Sequence, residues 1–239
     1  MAFKQFELTG YPVKIYKRRN SRTLRLSVTG SGDIRVSIPA WASYSAGLNF
    51  AHSKLQWIEQ QLPVKTDALR NGQAIGKSHR LYFQPYSGSR LTTRVTPTEI
   101  LVRYPAVLEP SHPRVQASAK VACIRALRIQ AERLLPQRLR QLAADYDYKF
   151  SSVRVKQLKS RWGSCDQHKN IVLNLYLMQL PWQLIDYVLL HELAHTRVLQ
   201  HGAPFWQEMQ RSLLDTKARR KAMKAYRPVL FTNEPVAMA

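Results

Sequence analysis

The sequence predicts an α+β protein, with an antiparallel β-rich N-terminal region followed by a small helical domain that carries an edge β-hairpin. Three observations carry this. Leu24, Leu26 and Val28, then Ile34, Val36 and Ile38, alternate with polar residues, which is the period of a half-buried strand. The stretch "YPAVLEPSHP" (104–113) holds three prolines, and the hydrophobic period beyond it changes from two to that of a helix. Further on, "PWQLIDYVLLHELAH" (181–195) is apolar nearly all round, the mark of a buried helix.

The elements follow in order. Gly30-Ser31-Gly32-Asp33 tolerates positive φ and joins the two alternating runs as a hairpin, closed by Pro39. Residues 43–62 place Leu48, Ala51, Leu55, Ile58 and Leu62 at helical spacing behind Ser43, a candidate N-cap. Strands are expected around Leu81–Gln84, Leu91–Val95 and Ile100–Tyr104. The prolines set a boundary, giving a β-rich region 1–112 and a second domain 113–239. Residues 114–144 read as helix, interrupted or restarted at Pro136. A strand Val153–Leu158 comes next, then a hairpin of "RWGSC" and "IVLNL" joined by "DQHKN". Pro181 suits the first turn of the buried helix, and Pro204 opens the one after it.

The chain has 239 residues and a formal charge of +22. The excess is spread along the sequence, with no single basic tail. A broad positive field attracts polyanions such as nucleic acid, nucleotides or an acidic protein surface. The segment 114–142 carries seven basic residues against Glu132, so the largest share of any polyanion affinity is expected there and on the arginine-rich strands. Only Cys123 and Cys165 occur, and they do not form a CxxC pair, which points to the cytoplasm and to no disulfide framework. No apolar run is long enough for a membrane span, and the N-terminus has no secretory signal, so no membrane partner is expected.

The chemistry concentrates in "HELAHTRVLQH", His191 to His201. Histidines four apart on a helix lie about 40° apart around its axis, so His191 and His195 can converge on one zinc ion. Glu192 points beside the metal, where a carboxylate can accept a proton from water. If the helix simply continued, His201 would be displaced by about 15 Å, so it can join only if the chain turns before it. The spacing matches HExxHxxGxxH, but the glycine position holds Val198, which resists positive φ. The helix is therefore expected to run somewhat longer and break near Leu199–Gly202. Glu208 on the next helix is the rival third ligand, and His201 is preferred because it sits where the chain must turn.

Around this motif, "KSRWGSC" can offer strand backbone to an extended peptide, with Arg161 binding a carboxylate or phosphate. The plainer reading is a tight hairpin that needs Gly163 and packs Trp162, with Ser164 beside them. A lone cysteine such as Cys165 is first a packing residue. Tyr187 lies four residues before His191, on the zinc face. It either orients a ligand and stabilises an oxyanion or packs in the core. Phe205 and Trp206 are expected to pack the second motif helix on the first.

"LKSRWGSC", "IVLNLYLMQLPWQLIDYVLLHELAH" and "HGAPFW" together resemble the YgjP-like metallopeptidase-domain family, relatives of the SprT-like proteases. The resemblance is strong over roughly 150–210 and looser over "RTLRLSVTGSGDIRVSIP". It implies a small zincin-like metallohydrolase domain with Zn2+ on His191, His195 and His201, Glu192 as the base, and the "RWGSC" strand along the cleft. Two alternatives stay open. One is a nucleotide (UTP-type) pyrophosphatase on the same metal. The other is a nucleic-acid-associated protease acting on DNA-bound proteins.

Overall fold

A computed structural model describes residues 3–19, 21–29, 33–61 and 68–231. The chain divides into two compact units, Met1–Thr66 and Asp67–Ala239.

The first unit is a four-stranded sheet with helices on one face. Strand β1 (Phe3–Leu8) turns through Thr9 (φ 47°) and Gly10 (φ 85°) into β2 (Tyr11–Arg18). Two successive positive φ angles match the right-handed strand twist, which is why so short a loop suffices. β3 (Arg25–Val28) pairs antiparallel with β4 (Ile34–Pro39), as the alternation predicts. The turn residues Gly30–Gly32 lie outside the described residues, but Thr29 N donates to Asp33 O across the loop mouth. β2 and β4 run parallel, giving the order β1-β2-β4-β3. Val13, Ile15, Ile34, Val36 and Ile38 form one buried face. Over it lies α1 (Tyr44–His52), capped at Ser43, whose hydroxyl accepts from Ala46 N. The single helix expected over 43–62 is two, because α2 (Leu55–Gln61) starts anew. Between them the Ser53 hydroxyl donates to Phe50 O, an alternative partner that competes with helix continuation. Leu62 lies outside the described residues.

The second unit begins with β5 (Ala74–Ile75), β6 (His79–Tyr86), β7 (Thr92–Val95) and β8 (Glu99–Pro105), again ordered β5-β6-β8-β7 around a central parallel pair. The prolines at 105–113 end β8 and start α3 (Pro113–Asp145). The boundary drawn at 112/113 falls inside this unit, because α3 packs on the sheet before it. Val115, Ala119 and Leu127 share one core with Leu81, Ile100 and Val102. Gln130 pins the two layers together. Its amide donates to Ile75 O and to His79 Nδ1, and its oxygen accepts from Lys77 N.

α3 is continuous through Pro136, not interrupted there. A proline costs the helix a hydrogen bond and strains it, but Leu135, Leu139 and Leu142 on either side are buried in the core, and that packing holds the helix together. Then β9 (Ser152–Lys156) runs parallel to β11 (Asn170–Asn174), and β10 (Gly163–Cys165) pairs antiparallel with β11 as the sheet's edge. Asp166 staples the connecting turn, accepting from the backbones of His168 and Asn170. A 3₁₀ turn (Leu175–Gln179) leads to α4 (Trp182–Ala194), α5 (Ala203–Ser212) and α6 (Thr216–Met223). Pro181 sits at the N-cap of α4 and Pro204 in the first turn of α5, each within a residue of its expected place. Among the described residues no helix is long and apolar enough to cross a membrane.

Candidate metal centre

α4 is buried on most of its circumference, and its last turn delivers His191 and His195 to one face. The helix then stops at Ala194, several residues earlier than expected. The Thr196 hydroxyl donates to Leu193 O, and Arg197 N and Val198 N both reach back to Ala194 O, which tightens the end into a turn. Val198 is not among the residues with positive φ, so no left-handed residue is needed there. The connection to α5 brings His201 back over the helix end. The Nε2 atoms of His191, His195 and His201 form a near-equilateral triangle with sides of 3.0, 3.1 and 3.2 Å. They are the one group of three or more potential ligand residues found close together among the described residues.

The triangle fits a metal ion. His195 Nδ1 lies 3.1 Å from Val198 O and must donate to it, which leaves Nε2 as a bare acceptor. Burial, with the neighbouring imidazoles and Arg220 adding to it, pushes the His191 pKa down to about 3. Burial lowers that of His195 as well, against the pull of its bond to Val198 O. Three imidazole nitrogens aimed at one point are a donor set for a metal ion.

Glu192, 4% exposed, faces a different wall. A Cβ at Gly163 would sit 2.6 Å from Glu192 Oε1 and 2.9 Å from Cδ, so β10 passes directly against the carboxylate. Gly163 is required here for space, since its φ is not left-handed. Glu192 Oε2 has no hydrogen-bond partner, and neither does buried His191 Nδ1. Burial pushes the Glu192 pKa up to about 8, opposed by the charge of Arg161. A buried carboxyl with a raised pKa and an unpartnered oxygen is suited to proton transfer.

A cavity of about 520 Å³ opens over the triangle and Glu192. Arg161, Trp162, Gly163, Ser164 and Tyr187 all line it, as does Cys165. Cys165 is not part of the histidine group, and burial, with Glu192 and Asp166 nearby, pushes its pKa up to about 11, so it rests as a thiol. Tyr187 is buried with its ring 6.1 Å from that of His191, and burial raises its pKa, so its hydroxyl stays protonated.

Glu208 is not a third ligand. Its carboxylate is held by Arg197 at 2.7 Å and Arg211 at 3.2 Å. Burial works against its charge, but the bonds from Arg197 and Tyr148 outweigh this and keep its pKa below the ordinary value. Arg197 also reaches the Asp147 carbonyl and stacks over Tyr148 at 4.4 Å. Glu208 therefore clamps the turn that carries His201.

Several supporting residues have weak sequence signals. Phe205 is fully buried and packs against all three imidazoles, with ring centroids 4.9, 4.5 and 4.8 Å from those of His191, His195 and His201. Trp206 lies tilted beside His201 at 6.1 Å, and Arg220 sits over its ring at 4.4 Å. Buried Asn174 donates to Leu158 O and Arg161 O, fixing the approach of β10. The sequence marks Phe205 and Trp206 as packing between the two motif helices but not as neighbours of the imidazoles, and an asparagine ending a strand is too common to single out.

The family described as "YgjP-like, metallopeptidase domain" matches residues 22–226. Two solved structures are similar over 38% of this chain and 94% of their own: the metallopeptidase zymogen of Pyrococcus abyssi abylysin (22% identity, TM-score 0.35) and that of Methanocaldococcus jannaschii jannalysin (20%, 0.34). No curated protein matches.

Proposed function

We propose a zinc-dependent peptide hydrolase, and the premise is that this chain belongs to the YgjP-like metallopeptidase family. The observation that carries the proposal is the convergence of three imidazole Nε2 atoms beside a buried carboxylate with an unpartnered oxygen. His191, His195 and His201 would hold the ion. Bound zinc would supply Lewis acidity, polarising the scissile carbonyl and lowering the pKa of water. Glu192 takes the proton from the attacking water and returns it to the leaving amine. The protonated hydroxyl of Tyr187, a residue that lines the cavity, would donate to the carbonyl oxygen as it gains charge.

The edge strand favours a peptide over a nucleotide. Trp162 O accepts from Asn174 N, and Asp166 N donates to Asn170 O. Antiparallel bonding alternates, so the backbone groups of Gly163 and Cys165 point away from β11, toward the unpaired edge. An extended peptide laid there gains strand-like hydrogen bonds next to Glu192. Arg161 at the cavity rim would take a carboxylate of that peptide.

The test is Glu192→Gln, assayed for zinc content and for cleavage of a quenched-fluorescence peptide library. Zinc and fold are expected to be retained, and turnover to fall by roughly 100-fold or more. Wild-type turnover in the variant would remove Glu192 as the base. A wild-type protein that releases pyrophosphate from UTP and leaves every peptide intact would replace the peptidase reading with the nucleotide one.

A further inference from the structure

We propose that the open face of the β1–β4 sheet binds single-stranded nucleic acid. The strand register draws two rows across all four strands on the face opposite the buried Val13, Ile15 and Val36. One row is Phe3, Tyr16, Ser37 and Arg25. The next is Gln5, Lys14, Arg35 and Ser27. Neither row contains a carboxylate, and every member is exposed or half-exposed.

At one end of these rows lies a cavity of about 1080 Å³, where β2 leads toward β3. Lys17, Arg18, Arg19, Arg22 and Arg25 line it, and no acidic side chain does. Lys17 is engaged by Ala40 O, but the four arginines have no carboxylate partner among the described residues. Lys14 is the one cation of the second row that is paired, with Asp33 at 3.0 Å. On the basic helix α3, by comparison, Arg138 is locked to Asp186 and Arg128 faces Glu132.

Charge alone would suit any polyanion, and the aromatics narrow the choice. The Phe3 and Tyr16 rings lie 5.3 Å apart on the same face. Trp41 is 80% exposed, two residues beyond Pro39, the register partner of Arg18. Exposed aromatic rings interleaved with arginines on an open sheet offer stacking to unpaired bases and charge to the phosphates between them. A duplex keeps its bases stacked inside and cannot use the rings.

Fluorescence anisotropy on the full chain tests this with labelled oligothymidine and oligouridine of about 20 nucleotides, a duplex of the same length and heparin, across a salt series. Both single strands, or one of them, should bind well ahead of duplex, and the tighter one assigns the source as DNA or RNA. Replacing Arg18, Arg22 and Arg25 by serine together should weaken single-strand binding by about 100-fold at low salt and flatten the log–log salt slope by about 2. Each single replacement should cost about fivefold, which decides the matter if the triple variant does not fold. Trp41→Ala should lower single-strand affinity roughly tenfold and leave heparin binding unchanged. The proposal is overturned if neither single strand binds at low salt, if duplex binds as well as single strand, if the arginine variants bind like wild type, or if Trp41→Ala has no effect.

Discussion

The second unit uses histidine in two ways. His79 is 3% exposed and both its ring nitrogens are satisfied, Nδ1 accepting from Gln130 and Nε2 donating to Thr96 O. That ring is part of the scaffold joining sheet to helix. His191, His195 and His201 are arranged the other way, with their Nε2 atoms turned toward one another at 3.0–3.2 Å. The Arg197–Glu208 clamp, a few residues from the triad, belongs with His79: a buried charge whose partners are all in place. Completed polar networks fix a fold, whereas an incomplete one, held by rigid neighbours, is a site prepared for something that arrives.

Substitutions can break this contrast at either pole. The largest effect is expected for His195→Ala. Zinc affinity should fall at least about 100-fold, and added zinc should no longer raise the melting temperature. An unchanged zinc-dependent rise would mean that the ion binds elsewhere. Next comes Gly163→Ala, which should keep zinc, because it touches no ligand. The new methyl group must displace the Glu192 carboxylate, so turnover should drop by about 10- to 100-fold. Full activity in that variant would place Glu192 outside the reaction. The smallest effect concerns His79. Burial, with Arg133 reinforcing it, holds the His79 pKa below its ordinary 6.5 despite the bond to Thr96 O. The folded state therefore binds fewer protons than the unfolded one. The stability contribution of neutral His79 is present above about pH 6.5 and is lost as the pH falls below it. His79→Asn should reduce the drop in urea midpoint on going from pH 7.5 to 5, with zinc binding unaltered. An unchanged pH dependence would show that other groups drive acid unfolding.

The site was legible where spacing alone dictates geometry. The i, i+4 pair, the adjacent glutamate and the need for a turn before His201 are consequences of helix pitch. Strand alternation marked β3 and β4 for the same reason. What escaped depends on groups distant in sequence. The helix was expected to run past Thr196, but its end is set by a hydroxyl and by an arginine held from α5, which no local pattern reveals. Pro136 read as a break because local strain is visible in sequence and the burial that overrides it is not. The prolines at 105–113 signalled a change of secondary structure correctly, but not whether a core spans the change.

The strand order shared by the two four-stranded sheets bears on how the chain finds its fold. In each, two antiparallel pairs are joined through a parallel seam, β2 with β4 and β6 with β8. Turns set the register of an antiparallel hairpin, but no turn spans a parallel seam, so alignment there rests on which side chains are apolar. A slip of one residue between β2 and β4 would send Ile15 into water and draw Tyr16 and Lys14 inward. The dyad pattern that hides Val13, Ile15, Ile34 and Val36 is thus the same instruction that keeps Lys14, Tyr16, Arg35 and Ser37 facing out. Misalignment would erase the core and the charged surface in one step, so a chain that reaches its stable packing has necessarily displayed that surface correctly.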